Sequence, residues 1–193
     1  MSAAAAIERA IGRLLRRVRA GDRHLACEDP RFADAPASLR LASAVFPDGG
    51  AMPTRCAAAG VGENVSPPLA WSGAPPETES FALIVEDPDA PMLRPIVHLI
   101  AVGIPADCAG LPEGALSPPD GAGFVLGRGA FGRVGYMGPR PVRGHGPHRY
   151  VFQLFALSRP IAVGERPDRA EVLAAMRGAV IARGKLTGTY ERD

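Results

Sequence analysis

Hydrophobic and polar positions alternate over several short stretches between residues 39 and 157, which is the pattern of β-strands. Residues 81–86 and 97–102 are apolar on both faces and predict two central strands. Residues 151–157 predict a third strand, in which Gln153 is the single polar position. Residues 39–46 alternate more loosely and predict a fourth strand. The chain should therefore be built mainly from β-structure.

The N-terminus has the spacing of a helix instead. Over residues 3–20 the apolar positions recur every three or four residues while arginines occupy the other faces, and the apolar set is Ile7, Ile11, Leu14, Leu15 and Val18. We expect this stripe to pack on the body of the protein or on a second subunit, which would make a homodimer through the helix. Binding to an anionic membrane surface is the alternative.

A second helix is predicted near the C-terminus. Asp168 and Glu171 have the spacing of a capping box, and apolar positions continue as a helical stripe through Val180 until Gly184. Residues 186–190 predict a short final strand.

Two segments lack either periodicity. Residues 22–37 contain two prolines and scattered charges and predict a linker, so we divide the chain into an N-terminal helix and linker, residues 1–37, and one domain, residues 38–193. Residues 106–125 are rich in proline and glycine and predict a loop. The 20 prolines and 23 glycines of the whole chain also fit strands and loops better than a helical bundle.

Composition narrows the classes of function. A formal net charge of +2 is too small to suggest a nucleic-acid partner. The three cysteines lie far apart without metal-binding spacing, which suggests reduced thiols. The N-terminus lacks the pattern of a signal peptide, and no apolar run is long enough for a transmembrane segment. We expect a soluble, cytoplasmic protein.

Polar residues collect at the ends of the predicted strands. Asp87 directly follows the strand 81–86, and His98 lies within the strand 97–102. If these strands pair antiparallel, the two side chains lie at the same end of the sheet. His148 and Tyr150 stand at the start of the strand 151–157 and share one of its faces.

Two motifs identify a family resemblance. Residues 87–91 read Asp-Pro-Asp-Ala-Pro, and residues 138–150 end in Pro-His-Arg-Tyr. With His98 between them, and with Asn-Val-Ser-Pro at residues 64–67 followed by Trp71, the chain resembles the phosphatidylethanolamine-binding protein family, in particular its bacterial Raf kinase inhibitor-like branch. The resemblance covers roughly residues 39–192.

The resemblance implies a fold and a site. The fold would be a two-sheet, antiparallel, β-sandwich-like core with peripheral helices. The site would be a small pocket for anions such as phosphate or a phospholipid head group. Separately, the absence of nucleophile-elbow, phosphate-loop and metal-binding patterns leads us to expect no cofactor, metal or catalytic residues. The ligand-binding positions carried over by the resemblance are Asp87, Asp89, His98, Pro141, His148 and Tyr150. The chain departs from the family at Val97, Leu99 and Val142, where aromatic residues or a second proline are usual.

The residue chemistry suits an anion. Imidazole N–H groups of His98 and His148, the Tyr150 hydroxyl and backbone N–H groups are donors. A carboxylate beside an anion is unfavourable unless it pairs with a histidine and keeps that ring protonated. We therefore expect Asp87 to pair with His98 or His148 and the imidazolium to face the ligand.

Other readings are weaker. His145 and His148 have His-x-x-His spacing, but the intervening Gly-Pro is not helical, so we assign His145 to a loop rather than to a metal site. Residues 127–132 match G-x-G-x-x-G, yet no helix pattern follows, which argues against dinucleotide binding. A protein-interaction module that inhibits a kinase or a serine protease is the main alternative function, and a hydrolase using Asp87 and His148 is a further one.

Overall fold

Two antiparallel sheets form the centre of the computed structural model, which describes residues 3–117 and 123–193. The helices and strands, numbered in chain order, are α1 Ala3–Leu15, β1 Arg40–Ala42, β2 Leu69–Ser72, β3 Ser80–Asp87, β4 Ile96–Pro105, β5 Gly110–Leu111, β6 Val125–Leu126, β7 His148–Leu157, α2 Arg169–Ala175 and β8 Val180–Tyr190. The larger sheet has the order β6-β4-β3-β7-β8, and the smaller has the order β1-β2-β5. The predicted mainly β, two-sheet fold with peripheral helices is confirmed.

The three central strands predicted from apolar runs are present as β3, β4 and β7. All eight residues of β3 are buried, because both faces of the larger sheet are covered. One face packs against the smaller sheet, where Trp71 contacts Phe81 with ring centroids 5.5 Å apart. The opposite face packs against α2 and the N-terminal segment, where Phe32 contacts Phe155 at 5.6 Å. This double burial explains why their sequences show no polar face.

The segment 22–37, expected as a linker, is packed onto the larger sheet. It forms three short 3₁₀ turns, and Leu25 and Phe32 are buried in the outer core. The buried carboxylate of Glu86 accepts the Ala26 N–H at 2.7 Å, and the Gln153 side-chain oxygen accepts the Cys27 N–H at 2.7 Å. Polar groups in the sheet thus anchor this segment. The division of the chain at residue 37 stays a prediction.

The N-terminal helix differs from the prediction in length and in orientation. It ends at Leu15 instead of residue 20, because the Ala20 and Gly21 N–H groups donate to carbonyls of the 88–90 loop. The expectation that its apolar stripe packs on the body of the protein is wrong. Ile7 and Leu14 are exposed, and Gly12 is the buried residue of the helix.

The C-terminal prediction also needs correction. Asp168 caps α2 as expected, with its side chain accepting the Glu171 N–H at 3.0 Å. The helix stops at Ala175, however. The strand predicted at residues 186–190 begins earlier, at Val180, and forms the eleven-residue β8. Gly178 has a φ of 68°, a left-handed conformation that breaks the helix and turns the chain back to the sheet.

The long connections are only partly regular. Within the predicted 106–125 loop, residues 110–111 form β5, and residues 118–122 lie outside the described residues. Residues 127–132 adopt a loop with a single 3₁₀ turn and no following helix. The rejection of dinucleotide binding from this motif therefore agrees with the local structure.

Candidate functional site

The site lies at one edge of the larger sheet, where β3 and β4 meet the start of β7. In the antiparallel register Asp87 faces Ile96 across the β3–β4 pair, and Glu86 faces Val151 across the β3–β7 pair. Asp87 and His98 therefore lie at the same end of the sheet, as predicted. The two loops after β3 and before β7 close over this edge and leave a cavity of about 430 Å³.

Five of the six predicted ligand-binding residues line this cavity, namely Asp87, His98, Pro141, His148 and Tyr150. Asp89 is not among the lining residues. Its carboxylate accepts hydrogen bonds from the backbone N–H and the guanidinium of Arg149 at 2.8–2.9 Å, and it pairs with Arg19 at 3.0 Å. Burial acts to raise the pKa of Asp89, but the arginine contacts prevail and lower it. Asp89 thus ties the 88–90 loop to β7 and to the N-terminal segment.

Asp87 and His148 form a buried pair. The Nδ1 atom of His148 lies 2.8 Å from Oδ2 of Asp87, and both side chains are almost inaccessible to solvent. The other oxygen of Asp87 accepts the backbone N–H of Asp89 at 2.8 Å. Both carboxylate oxygens are consequently engaged by protein groups.

His145 is a buried member of the same network, although its sequence context predicts a loop residue outside the site. Its Nδ1 lies 2.7 Å from Nε2 of His148. Its Nε2 lies 2.9 Å from the Leu15 carbonyl and 3.2 Å from the Val18 carbonyl. Burial lowers the pKa of His145, and the neighbouring His148 acts in the same direction. The ring is therefore neutral near pH 7.

These contacts determine where the protons are. Carbonyl oxygens only accept, so Nε2 of His145 carries its proton and Nδ1 is the acceptor. Nε2–H of His148 must then donate to His145. The remaining short contact, between His148 Nδ1 and Asp87, needs a further proton on one of its two atoms. The Asp87–His148 pair therefore holds one shared proton and has no net charge.

This arrangement changes the expected role of His148. Both of its ring nitrogens are occupied, one by Asp87 and one by His145. The expectation that its imidazolium donates to a ligand is therefore wrong. Its contribution is to neutralise the buried carboxylate of Asp87.

His98 has a free nitrogen. Its Nδ1–H donates to the Met137 carbonyl at 2.7 Å, and its buried Nε2 has no hydrogen-bond partner in the described parts of the chain. Burial lowers the pKa of His98 and outweighs the opposing influence of Asp87. The neutral ring therefore presents Nε2 as an acceptor rather than the donor that was expected. A buried polar atom without a partner is uncommon in proteins.

Tyr150 packs against this ring, with centroids 4.9 Å apart and the ring planes nearly perpendicular. Burial raises the pKa of Tyr150 far above its ordinary value, with a further contribution from Asp87, so the hydroxyl keeps its proton. A hydrogen bond from the Arg140 backbone acts to lower this pKa but is outweighed by burial.

Two arginines and an asparagine in the cavity wall were not predicted. Arg133 and Arg140 are exposed lining residues and supply positive charge at the mouth. Asn64 has a φ of 58°, and its side chain bonds the Tyr136 carbonyl at 3.0 Å and the Gly138 N–H at 2.8 Å. It thereby fixes the wall that carries Met137. Arg140 lies within the motif of residues 138–150, so the sequence could have indicated it. Arg133 belongs to no recognisable motif.

The described residues contain no group of three or more side chains arranged to hold a metal ion. His145 and His148 face each other at hydrogen-bond distance, which leaves their facing nitrogens unavailable to a cation. In the same parts of the chain, no helix is long and apolar enough to cross a membrane.

Comparison with known proteins gives a consistent result. The family model for phosphatidylethanolamine-binding protein matches residues 42–191. A UPF0098 protein of Methanothermobacter thermautotrophicus is 40% identical over 157 residues, which cover 80% of this chain and 99% of that protein. The crystal structure of Escherichia coli YbcL is similar with a TM-score of 0.75 at 35% identity, covering 81% of this chain and 100% of YbcL. A homologue from Chlamydia trachomatis, CT736, gives a TM-score of 0.73 at 34% identity and covers 81% of this chain and 99% of its own.

Proposed function

Because the chain belongs to the phosphatidylethanolamine-binding protein family, we propose that its cavity binds a small anion without converting it. The ligand class is inorganic phosphate or a phosphorylated group such as a phospholipid head group. The cytoplasmic location expected from the sequence stays a prediction.

The unpartnered Nε2 of His98 carries this proposal. A fully deprotonated anion offers only acceptors, so it can meet Nε2 only if that nitrogen gains a proton. A ligand that keeps one acidic hydroxyl, such as the hydrogen phosphate dianion or the monoanion of a phosphate monoester, can instead bring the proton itself. In both cases one proton lies between His98 and the ligand, and burial makes this bond stronger than it would be in water.

The electrostatic surroundings favour negative charge. Arg133 and Arg140 border the cavity. A guanidinium group can donate two parallel hydrogen bonds to two oxygens of one phosphate. Among the described residues, Asp87 is the only carboxylate in the wall, and its pairing with His148 neutralises it. The field in the cavity is therefore positive, and a dianion is attracted without an opposing buried charge.

A hydrolase is less well supported by the same geometry. A general base must reach the proton that it removes, and neither nitrogen of His148 is free to do so. His98 has a free nitrogen, but in the described parts of the chain no serine, threonine or cysteine lines the cavity beside it. We therefore expect no turnover when a panel of phosphomonoesters and carboxylic esters is incubated with the protein.

Calorimetric titration tests the proposal directly. Inorganic phosphate and phosphoethanolamine should bind, whereas ethanolamine, which lacks the anion, should not. His98→Asn keeps a donor for the Met137 carbonyl but removes Nε2, so affinity should fall by about tenfold or more. Asn64 also lines the cavity, but unlike His98 its side chain is already hydrogen-bonded to protein groups, namely the Tyr136 carbonyl and the Gly138 N–H. Binding of phosphate that is equal in the wild type and in His98→Asn would contradict the proposal.

A protein partner, either a kinase or a serine protease, is the second candidate. Phe131 lines the cavity, Leu93 lies with it in a neighbouring groove, and their side chains are 81% and 91% exposed. Phe131 also has an unfavourable left-handed φ of 57°. Exposed apolar residues around a pocket are common at protein interfaces. Leu93→Asp should abolish partner inhibition and preserve phosphate binding if this rim, rather than the cavity, contacts the partner.

A further inference from the structure

The N-terminal helix α1 presents its apolar stripe to solvent. Surface helices normally direct such a stripe to the protein core. Here Leu14 is 83% exposed and Ile7 is 61% exposed, and Ile11 and Val18 are exposed as well. We call Ile7, Ile11 and Leu14 the apolar face of α1, and Val18 follows just beyond the end of the helix.

The opposite side of the helix holds it to the protein. Gly12 packs so closely on the Arg143 carbonyl that a Cβ atom at this position would clash with it. Glu8 pairs with Arg192 at 3.0 Å and with Arg143 at 3.6 Å. At about 100° per residue, Gly12 lies about 140° around the helix axis from Ile7. These contacts fix the rotation of the helix, so its apolar face cannot turn inward.

The end of the helix is held as well. The Leu15 and Val18 carbonyls accept hydrogen bonds from Nε2 of the buried His145. Beyond them, the Ala20 N–H donates to the Ala90 carbonyl at 3.0 Å. The apolar face therefore belongs to a helix that is attached at several points, rather than to a free terminal segment.

The charge of the segment indicates what covers this face. Residues 3–20 contain five arginines and one glutamate, a formal charge of +4 in a chain whose total is +2, so the remaining residues are net negative. Arg19 pairs with Asp89, but the exposed Arg13, Arg16 and Arg17 form no ion pair in the described parts of the chain. A second copy of the chain would bring another segment of the same charge against this one. An anionic lipid surface would attract it instead.

We propose that α1 binds the surface of an anionic lipid bilayer. The helix lies parallel to the bilayer, the apolar face enters the boundary between head groups and acyl chains, and the neighbouring arginines contact lipid phosphates. Because α1 precedes residue 42, where the family match begins, this property belongs to this chain rather than to the matched domain. It does not depend on a ligand in the cavity.

Vesicle sedimentation tests the proposal. The full chain should sediment with vesicles of phosphatidylcholine containing about 30% phosphatidylglycerol, but not with phosphatidylcholine alone. About 0.5 M salt should weaken the binding, because salt screens the arginines. Phosphatidylethanolamine is omitted, and His98→Asn should sediment like the wild type, which separates this surface from the cavity. Absence of binding to the anionic vesicles would overturn the proposal, whatever the result with phosphate.

Matched variants locate the contact. The double variant Ile11→Ser with Leu14→Ser should bind about tenfold or more weakly, since both side chains would lose an apolar environment. Leu93→Ser alters an equally exposed leucine beside the cavity and should bind normally. Circular dichroism should show that both variants are folded, because all three positions are exposed. Loss of binding in Leu93→Ser with retention in the double variant would overturn the proposal.

A tryptophan at the same positions gives a second measurement. Leu14→Trp should show a blue shift of its fluorescence with anionic vesicles, and Leu93→Trp should show none, because only the first ring would enter lipid.

Light scattering after size-exclusion chromatography tests whether a second copy of the chain covers the apolar face instead. A dimer that the Ile11→Ser and Leu14→Ser double variant converts to monomer, without any vesicle binding, would mean that a second copy covers the apolar face and would overturn the proposal.

Discussion

The Asp87–His148 pair can be perturbed in two ways that separate its hydrogen bonds from its shared proton. Asp87→Asn keeps an oxygen for the Asp89 N–H and places an amide N–H opposite His148 Nδ1, so every contact survives while the shared proton is lost. Asp87→Ala removes both contacts and leaves His148 Nδ1 buried without a partner. The two variants should therefore differ clearly in stability.

The expected magnitude follows from burial. The side chains of His148 and Asp87 are 2% and 4% exposed, so solvent screening does not weaken their interaction. Removing one partner of a buried pair costs about 3–5 kcal/mol, and here the substitution also leaves a small cavity. Asp87→Asn exchanges a charged for a neutral hydrogen bond and should cost about 1–2 kcal/mol. For a chain of 193 residues, the alanine variant should lower Tm by about 6–20 °C.

Urea unfolding followed by circular dichroism measures the difference. The midpoint should fall much further for Asp87→Ala than for Asp87→Asn. Asp107→Ala, in the exposed turn after β4, serves as the control and should change stability by less than about 0.5 kcal/mol. Equal losses in the two Asp87 variants, or no loss in either, would refute the protonation scheme assigned to the buried network.

Two further predictions follow from the same region of the protein. Burial lowers the pKa of His98 and His145, so the folded state takes up fewer protons than the unfolded state below about pH 6.5, and stability should fall as the pH drops through this range. Urea midpoints at about pH 7.5 and about pH 5.5 measure this loss, which His98→Asn should reduce; a stability that is flat with pH would contradict the neutral assignment of both rings. Gly12→Ala should displace α1 from the body and accelerate tryptic cleavage within residues 9–19, whereas Ala10→Ser, on an exposed face, should leave the cleavage rate unchanged. Equal cleavage rates in the two variants would show that close packing at Gly12 does not hold the helix.

The sequence predicts the central strands because β3, β4 and β7 are runs of apolar, β-branched and aromatic residues bounded by turns. Such runs are typical of buried strands. It also predicts the convergence of Asp87 and His98, since adjacent antiparallel strands joined by a short loop bring such residues to one edge. These predictions depend on local pattern and on short connections. The motif that contains His148 then identifies the third strand of the site.

The network around His145 could not be predicted in this way. His145 is buried because the end of α1 packs against it. The Leu15 carbonyl, 130 residues earlier in the chain, lies within hydrogen-bond distance of its Nε2. No spacing in the sequence encodes a contact between a helix end and a remote loop. The shared proton of Asp87 and His148 could not be predicted either. It is inferred from the hydrogen bonds on both nitrogens of His148, and one of these involves His145.

The orientation of α1 shows a different limit. Helical periodicity identifies the apolar stripe that contains Ile7 and Leu14, but it does not indicate whether that stripe faces the protein. The deciding contacts come from Gly12 and Glu8, a small residue and a charged residue that packing arguments usually assign to the surface. Similarly, the prolines in residues 22–37 suggested a linker, although Leu25 and Phe32 in that segment are buried.

The pH dependence of phosphoethanolamine binding, measured by calorimetry in buffers of different ionisation enthalpy, tests whether the anion binds at the free nitrogen of His98. Because burial keeps His98 neutral in the free protein, and the doubly ionised phosphate group of phosphoethanolamine has no hydroxyl, binding should take up close to one proton. Affinity should then fall between about pH 5.5 and about pH 8.5, approaching about tenfold per pH unit at the alkaline end, and the observed enthalpy should vary with the buffer. An affinity that is constant over this range, with an enthalpy independent of the buffer, would contradict an anion site built around the free nitrogen of His98.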